Sequence, residues 1–454
     1  MTRMLIIGAG PAGIRAAETL VAVGLRPQIV DEGERAGGQI YRRPPPGFTR
    51  PPRALYGSEA DKAAALHRTF DGLVRDGQVD HHPRATVFAL SDGVAHIVQE
   101  GTVRRIAYDR LILATGASDR LAPVPGWQAP GVYSLGAMQI ALKAQGVALG
   151  RELVLAGSGP LLTLVAHQLR KAGANVAAVL DTAPLSSQAA GGAQMALARP
   201  RVTLRGLAVR AGLGRLYHPG ATLERIEADA DGPTALHWRD AAGRARVSSC
   251  DAVALGWHLR AETHLADLAG ARFEWSPIWH QWLPVTDAMG RAGDGLYLAG
   301  DGLRLLGADG AEIAGRLAAT ACLRDMSLPA PNPGKDLRQL ARMAWFAKGV
   351  ARAFPWPADM VRNLPGETML CRCEGVTVAD ARSALALAGP EANRLKALAR
   401  VGMGRCQGRY CQLAGAEIVA DETRRAPCET GRLRAQPPVR PVPVSAFLQA
   451  DPDI

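Results

Sequence analysis

Four cysteines near the C-terminus carry the most specific chemistry in the chain. They run Cys371-Arg372-Cys373, then thirty-two residues, Cys406, four residues and Cys411. Four thiolates at such spacing fix either a tetrahedral zinc ion or an iron–sulfur cluster. Zinc sites place their paired cysteines two to four residues apart, so both thiolates reach one small ion, and Cys-x-Cys suits that less well. An iron–sulfur rhomb is larger and needs backbone amides turned toward its sulfides. The run Gly402-Met403-Gly404-Arg405-Cys406-Gln407-Gly408-Arg409-Tyr410-Cys411 supplies small residues that let amides close around it. Arg372, Arg405 and Arg409 bring positive charge that would raise the potential of an anionic cluster. The balance favours [2Fe–2S] over zinc on Cys371, Cys373, Cys406 and Cys411. Cys428 lies outside the quartet, and Cys250 and Cys322 stand alone, which reads as small buried hydrophobes rather than reactive thiols.

A second chemical centre stands at the other end. The strand Met4 to Ile7 enters Gly8-Ala9-Gly10-Pro11-Ala12-Gly13, and a helical pattern follows from Ile14 to Val23, stopped by Gly24. Gly8 allows the tight turn, Gly10 the close approach of a pyrophosphate, and Gly13 the packing of helix on strand. The helix N-terminus then faces the phosphates, with Pro11 and Ala12 in its first turn. A strand from Pro27 to Val30 ends at Asp31, 18 residues after Gly13, where an acid accepts hydrogen bonds from ribose hydroxyls. Strand, turn, helix, strand and acid agree, so this is a dinucleotide site rather than a chance glycine turn.

Three further segments narrow the dinucleotide to FAD. Gly37-Gly38-Gln39 follows the acid, Leu111 to Gly116 is a buried strand ending in Ala114-Thr115-Gly116, and Gly295 to Asp301 ends in Gly300-Asp301. Together they resemble the flavoproteins with two dinucleotide-binding domains, the glutathione and thioredoxin reductase superfamily. That resemblance implies that Asp301 bonds the ribityl chain. Between these segments, Ala85 to Ala114 alternates strand-like runs with turns at Asp92-Gly93 and Glu100-Gly101, as an antiparallel meander would. A second unit begins at Leu153 with Gly157-Ser158-Gly159-Pro160-Leu161-Leu162 and ends its next strand at Asp181. In the superfamily this unit binds NAD(P)H. Here Leu162 replaces the third glycine, which puts nicotinamide binding in doubt. If a pyridine nucleotide binds, Asp181 favours NAD over NADP by repelling a 2′-phosphate. The close cysteine pair of the disulfide reductases is missing, so dithiol chemistry is not expected.

The elements that must position these groups fit within 454 residues, a length suggesting about three domains. Hydrophobic residues make up 48% and charged residues 21%, as in a folded globular chain. The net charge of +11 is nearly all arginine, but scattered, without basic runs or interleaved aromatics, so nucleic acid is not an expected partner. No signal peptide is expected, since the first strand follows Met1 almost at once, and the apolar stretch from Leu153 to Val165 is broken by Gly157, Ser158, Gly159 and Pro160. No transmembrane helix is expected, and the reading is cytoplasmic. The fold class is α/β, with two Rossmann-like dinucleotide-binding domains and a small C-terminal helical [2Fe–2S] domain. The expected boundaries are 1–117 with 285–328 for FAD, 118–284 for the second unit, 329–364 for a linker and helix, 365–430 for the cluster, and 431–454 for a Pro-rich tail. Among the histidines, His81-His82 reads as a solvated loop. His280 stands between facing a flavin and packing against Trp279 and Trp282. Arg42 and Arg43 stand between solvent and the phosphate of a second nucleotide.

The quartet resembles the bacterioferritin-associated ferredoxin domain. With Gly37-Gly38-Gln39-Ile40-Tyr41-Arg42 and Gly404-Arg405-Cys406-Gln407-Gly408-Arg409, about residues 3 to 430 resemble one family. It is that of the A (alpha) subunits of octopine and nopaline oxidases, with related hydrogen cyanide synthase and hydroxyproline dehydrogenase subunits. The resemblance implies a heteromeric amine or imino-acid dehydrogenase acting on an opine, a hydroxyproline or glycine. A beta subunit resembling D-amino-acid and sarcosine oxidases would hold its own FAD and oxidise the substrate. Electrons would cross to this chain and leave singly through the cluster to an acceptor. A small third subunit, attachment at the inner membrane through partners, and FMN, NAD or ATP at the second site or an interface all stay open. Two alternatives also stay open: a self-contained NAD(P)H-dependent reductase feeding the cluster, and a non-catalytic nucleotide-binding scaffold. This chain shows no substrate-oxidising residues of its own, and its catalytic residues are unknown.

Overall fold

The computed structural model describes residues 2–45, 47–48 and 50–448. Two parallel sheets form its frame. The first orders Arg291–Gly293, Leu296–Leu298, Arg110–Leu113, Met4–Ile7, Gln28–Val30 and Asp80–His82, all parallel except the first pair. It therefore draws strands from segments almost 300 residues apart. The second orders Tyr217–Pro219, Asn175–Asp181, Glu152–Ser158, Ala252–Trp257 and Val132–Ser134, all parallel. Its central strands are buried from Leu153 to Ser158 and from Ala252 to Trp257, as in parallel sheets covered on both faces. The expected two-unit α/β architecture is what the chain forms.

Antiparallel ribbons fill the crossovers. The meander is Ala85–Ser91, Val94–Gln99 and Thr102–Ala107. Asp92 and Gly93 (φ 48° and 74°) and Glu100 and Gly101 (φ 52° and 79°) turn its hairpins. Paired positive φ values match the right-handed strand twist, which is why Asp-Gly and Glu-Gly stand there. A second ribbon, Thr222–Ala228, Pro233–Arg239 and Ala245–Ser249, serves the second unit. His81 and His82 are not in a solvated loop. Asp80–His82 is an edge strand of the first sheet, and His81 packs edge-on against Phe70 at 4.9 Å. The signal for a loop was the following Pro83, which only ends the strand.

The C-terminal unit is built from the hairpin Met369–Cys371 with Val376–Thr377 and the helices Val378–Ala388, Ala392–Ala399 and Gln412–Glu422. Thr377 caps the first of these helices in a reciprocal capping box with Asp380. The unit shares one apolar core with the second sheet, which includes Trp127 and Leu370, and Trp127 donates its indole N–H to Met369 O at 2.6 Å. The Pro-rich tail is not a loose end over residues 431–448. Val439 N donates to Phe88 O of the meander, and Arg440 pairs with Glu32 at 2.7 Å. The last six residues lie outside the described residues. Among those described, no helix is long and apolar enough to cross a membrane.

Candidate functional site

The first glycine loop is closed by contacts that only glycine permits. A Cβ on Gly8 would lie 2.3 Å from Ala114 O, and one on Gly13 would lie 1.8 Å from Gly8 O. Gly10 and Gly38 face each other, since a Cβ on Gly38 would lie 3.0 Å from Gly10 Cα. The Gly37-Gly38-Gln39 turn is thus laid on the phosphate-type loop, and Gly37 N donates to Ala9 O at 2.9 Å. Pro11 begins the helix Pro11–Val21 with its amide orphan removed, and Ala12 sits in the same turn. Asp31 accepts from Ala9 N at 2.6 Å and Gly33 N at 2.7 Å, so it braces the loop as well as ending the strand. Burial raises the Asp31 carboxyl against those two amide bonds, which lower it. Gln39 accepts from Arg42 at 2.8 Å, and Arg43 pairs with Asp71 at 2.9 Å.

The strand ends named from the sequence converge on this loop. Gly300 sits against Ala12, where a Cβ would lie 3.0 Å from the alanine methyl. Thr115 Oγ1 donates to Glu262 O at 2.7 Å, and Glu262 N donates to Gly116 O at 3.0 Å. Asp301 Oδ1 accepts from Leu306 N at 2.8 Å and Gly307 N at 3.0 Å, capping the helix Gly307–Asp325. Its hydrogen bonds among the described residues all fall on that one oxygen. Desolvation pushes the Asp301 carboxyl up to about 6, outweighing the two amides. A carboxyl raised above its ordinary 3.8 contributes stability that is complete below about pH 4 and lost as pH rises through about 6. Asp301→Asn keeps the acceptor and removes the titration. Thermal unfolding of the FAD-free chain is expected to show the wild type losing stability relative to the variant across that window. Parallel curves would refute it.

The second loop differs in kind. Gly157 and Gly159 keep positive φ (143° and 106°), and a Cβ on Gly157 would lie 1.8 Å from Gly256 O. Leu162 is fully buried in the core under this sheet, with Leu135, Leu155 and Val179. Its side chain joins that core at the position where Gly13 of the first unit has no room for a Cβ. Asp181 is inaccessible, accepting from Tyr217 Oη at 2.7 Å and Ala183 N at 2.9 Å. Burial raises its carboxyl too. Lys143, which belongs to no motif, is buried beside the Gly-Gly-Gln turn and donates to Ile40 O at 3.2 Å; burial lowers it to about 8.

The four cysteines come together as two pairs. The thiols of Cys371 and Cys411 are within hydrogen-bonding reach of each other, as are those of Cys373 and Cys406. Cys411 hydrogen-bonds the Cys371 thiol and the amides of Gly402, Glu374 and Cys373 point at it, which together lower it to about 6. The amides of Tyr410 and Gly408 point at Cys406, whose burial nonetheless raises it. Cys411 is raised well above its ordinary value by its bond with Cys371 and by burial. Among the described residues no group of three or more His, Cys, Asp or Glu side chains is arranged to hold a metal ion. Two thiol pairs ringed by amides fit the two ends of an iron–sulfur rhomb better than one tetrahedral ion. Two of the three arginines have partners of their own. Arg409 forms a buried two-point ion pair with Glu262 (2.6 and 3.1 Å), and Arg372 lies over the Trp127 ring at 5.1 Å. His280 does more than pack against tryptophan: it contacts Glu417 on the C-terminal helix and lies edge-on to Trp275. Cys250 and Cys322 are buried, their thiols pushed up to about 12 and 11 by burial, and Cys428 is exposed.

The family model of the pyridine nucleotide-disulphide oxidoreductases matches residues 2–310, and that of the sarcosine oxidase A3 domain matches residues 366–451. The A subunit of opine oxidase from Rhizobium meliloti is 36% identical over 475 residues, covering 98% of this chain and 87% of that protein. The HcnB subunit of hydrogen cyanide synthase from Pseudomonas aeruginosa is 32% identical over 476 residues, covering 98% of each. The fold of L-proline dehydrogenase from P. horikoshii superposes with a TM-score of 0.72 at 19% identity, over 98% of this chain and 79% of that one. The chain is therefore an oxidoreductase of the pyridine nucleotide-disulphide oxidoreductase fold. Within it, the chain belongs to the family of the opine oxidase A subunits and the hydrogen cyanide synthase subunits. The C-terminal match carries the name of a sarcosine oxidase domain rather than of a ferredoxin, so a cluster assignment rests on the cysteines themselves.

Proposed function

We propose that the chain is the electron-transferring flavin and [2Fe–2S] subunit of a heteromeric FAD-dependent dehydrogenase for amines or imino acids. FAD is held by Gly8, Gly10, Pro11, Ala12 and Gly13 at the pyrophosphate and by Asp31 at the ribose. Gly38, Gln39, Thr115, Gly116, Gly300 and Asp301 complete its bed. Cys371, Cys373, Cys406 and Cys411 hold the cluster. When bound, a flavin takes electrons in pairs and releases them singly, whereas an iron–sulfur cluster carries one at a time. The observation that carries the reading is the physical continuity of the two sites. Glu262 bonds Thr115 and Gly116 through its backbone and Arg409, between Cys406 and Cys411, through its carboxylate.

Substrate oxidation belongs to a beta subunit resembling D-amino-acid and sarcosine oxidases, in an assembly working in the cytoplasm. Subunit names among the relatives, and the sarcosine oxidase domain, support a heteromer. Gly157 and Gly159 leave the second loop able to take phosphates, for FMN, NAD or ATP. The engagement of Asp181 with Tyr217 weighs against an NAD ribose there. The test is to purify the chain alone and with its genomic neighbour. NADH is expected to leave the flavin of the isolated chain oxidised, while the complex turns over one of opines, hydroxyprolines or glycine with an artificial acceptor. Rapid bleaching by NADH alone would make the chain a self-contained reductase, and a chain without flavin absorbance would make it a scaffold.

A further inference from the structure

Four consecutive carbonyls of the loop between Cys406 and Cys411 are held by specific donors. Cys406 O accepts from Arg409 Nη1 at 3.1 Å, and Gln407 O bonds His264 Nε2 at 2.9 Å. Gly408 O and Arg409 O accept from Arg260 Nη1 at 3.3 and 3.0 Å, and Arg260 Nη2 donates to Gln412 Oε1 at 3.0 Å. Glu262 joins these donors: its carboxylate takes Arg409 Nε and Nη2, and bonds His264 Nδ1 at 2.6 Å. His264 thus bridges the Glu262 carboxylate at Nδ1 and the Gln407 carbonyl at Nε2, while burial lowers its pKa. All four side chains are more than nine-tenths buried. Cys406 O and Gly408 O also accept from the backbone amides of Arg409 and Gln412 at 3.2 and 3.0 Å, which closes the turn, and the amides of Gly408 and Tyr410 point at Cys406.

We propose that Arg260, Glu262 and His264 are positioning residues for the cysteine loop, a mould that sets its amides toward the thiols and ties it to the Thr115-Gly116 turn. They lie outside the matched C-terminal domain and carry no motif. The inference rests on the quartet being the ligand set of an iron–sulfur cluster. Outer groups that orient ligands commonly change metal affinity by about 10–100-fold when removed.

The test measures iron and sulfide per chain, iron release to an iron(II) chelator, and the magnetic resonance spectrum of the reduced protein. His264→Ala is expected to lower iron retention by about 10–100-fold and to shift the spectrum, with FAD content unchanged. His264→Gln, which restores a donor toward the Gln407 carbonyl, is expected to recover much of both. Glu262→Gln, which keeps an acceptor but loses the charge holding Arg409 and His264, is expected to behave like His264→Ala. Should Glu262→Gln fail to fold, the two His264 variants decide. Wild-type iron retention and spectrum in His264→Ala would overturn the proposal alone. A wild type that binds no iron would overturn the ligand reading and this proposal with it.

Discussion

Cys406→Ser is expected to abolish the cluster's visible absorbance and its reduced-state magnetic resonance signal, with iron falling to background and FAD still bound. The expectation follows from the pairing of the thiols. Cys406 stands with Cys373, and losing one of a pair leaves one end of a rhomb with a single thiolate. Cys371 with Cys411 cannot substitute, because that pair is held at the opposite end by its own amides from Gly402, Glu374 and Cys373. FAD is expected to survive because its bed is formed by strands of the first sheet, not by the C-terminal helices. Cys428→Ser, at an exposed position outside the quartet, is the matched control and should change nothing. Retention of both signals in Cys406→Ser would sink the ligand assignment, and bound zinc without iron would sink the electron-transfer role.

The second large effect lies at a residue far from any motif. Gly315 sits in the helix Gly307–Asp325 where it crosses the first helix, and a Cβ there would lie 2.0 Å from Ala12 O and 2.9 Å from Ala12 Cα. The obstacle is backbone, so no rotamer relieves it. Overpacking of this kind costs about 1–3 kcal/mol and sometimes more, and a backbone clash belongs at the upper end. For a unit of this size about 3 kcal/mol lowers Tm by roughly 6–12 °C. Ala12 lies in the turn behind the phosphate-type loop, so Gly315→Val is expected to release FAD as well as destabilise. Gly206→Val, in an exposed helix with nothing within 4 Å of its Cβ, should leave FAD content unchanged. Full FAD occupancy in Gly315→Val at wild-type Tm would mean that the crossing does not support the flavin site.

What was legible in the sequence were features whose reasons are local. Gly8, Gly10 and Gly13 answer to a turn, a ligand and a strand within a few residues, and the cysteines announce themselves by type and spacing. Gly315 does not, because its reason is Ala12, some 300 residues away, and a glycine within a helix otherwise reads only as a weak helix former. Arg260, Glu262 and His264 follow a strand end that bears no motif and make sense only once the C-terminal unit folds onto them. Charge misled in a related way. Arg409 reads as a cation for the cluster until Glu262, 147 residues away, is seen to neutralise it. The replacement of glycine by Leu162 was visible, but not that the leucine joins the core with Leu135, Leu155 and Val179. The tail read only as proline-rich, since its partners Phe88 and Glu32 belong to the first unit.

Electron flow from substrate to cluster is tested most directly by adding substrate anaerobically to the purified complex and recording its magnetic resonance spectrum. Substrate is predicted to produce the reduced-cluster signal in the complex, and NADH to produce none in the isolated chain. A cluster signal raised by NADH in the isolated chain, or none raised by substrate in a complex that turns over, would contradict that flow.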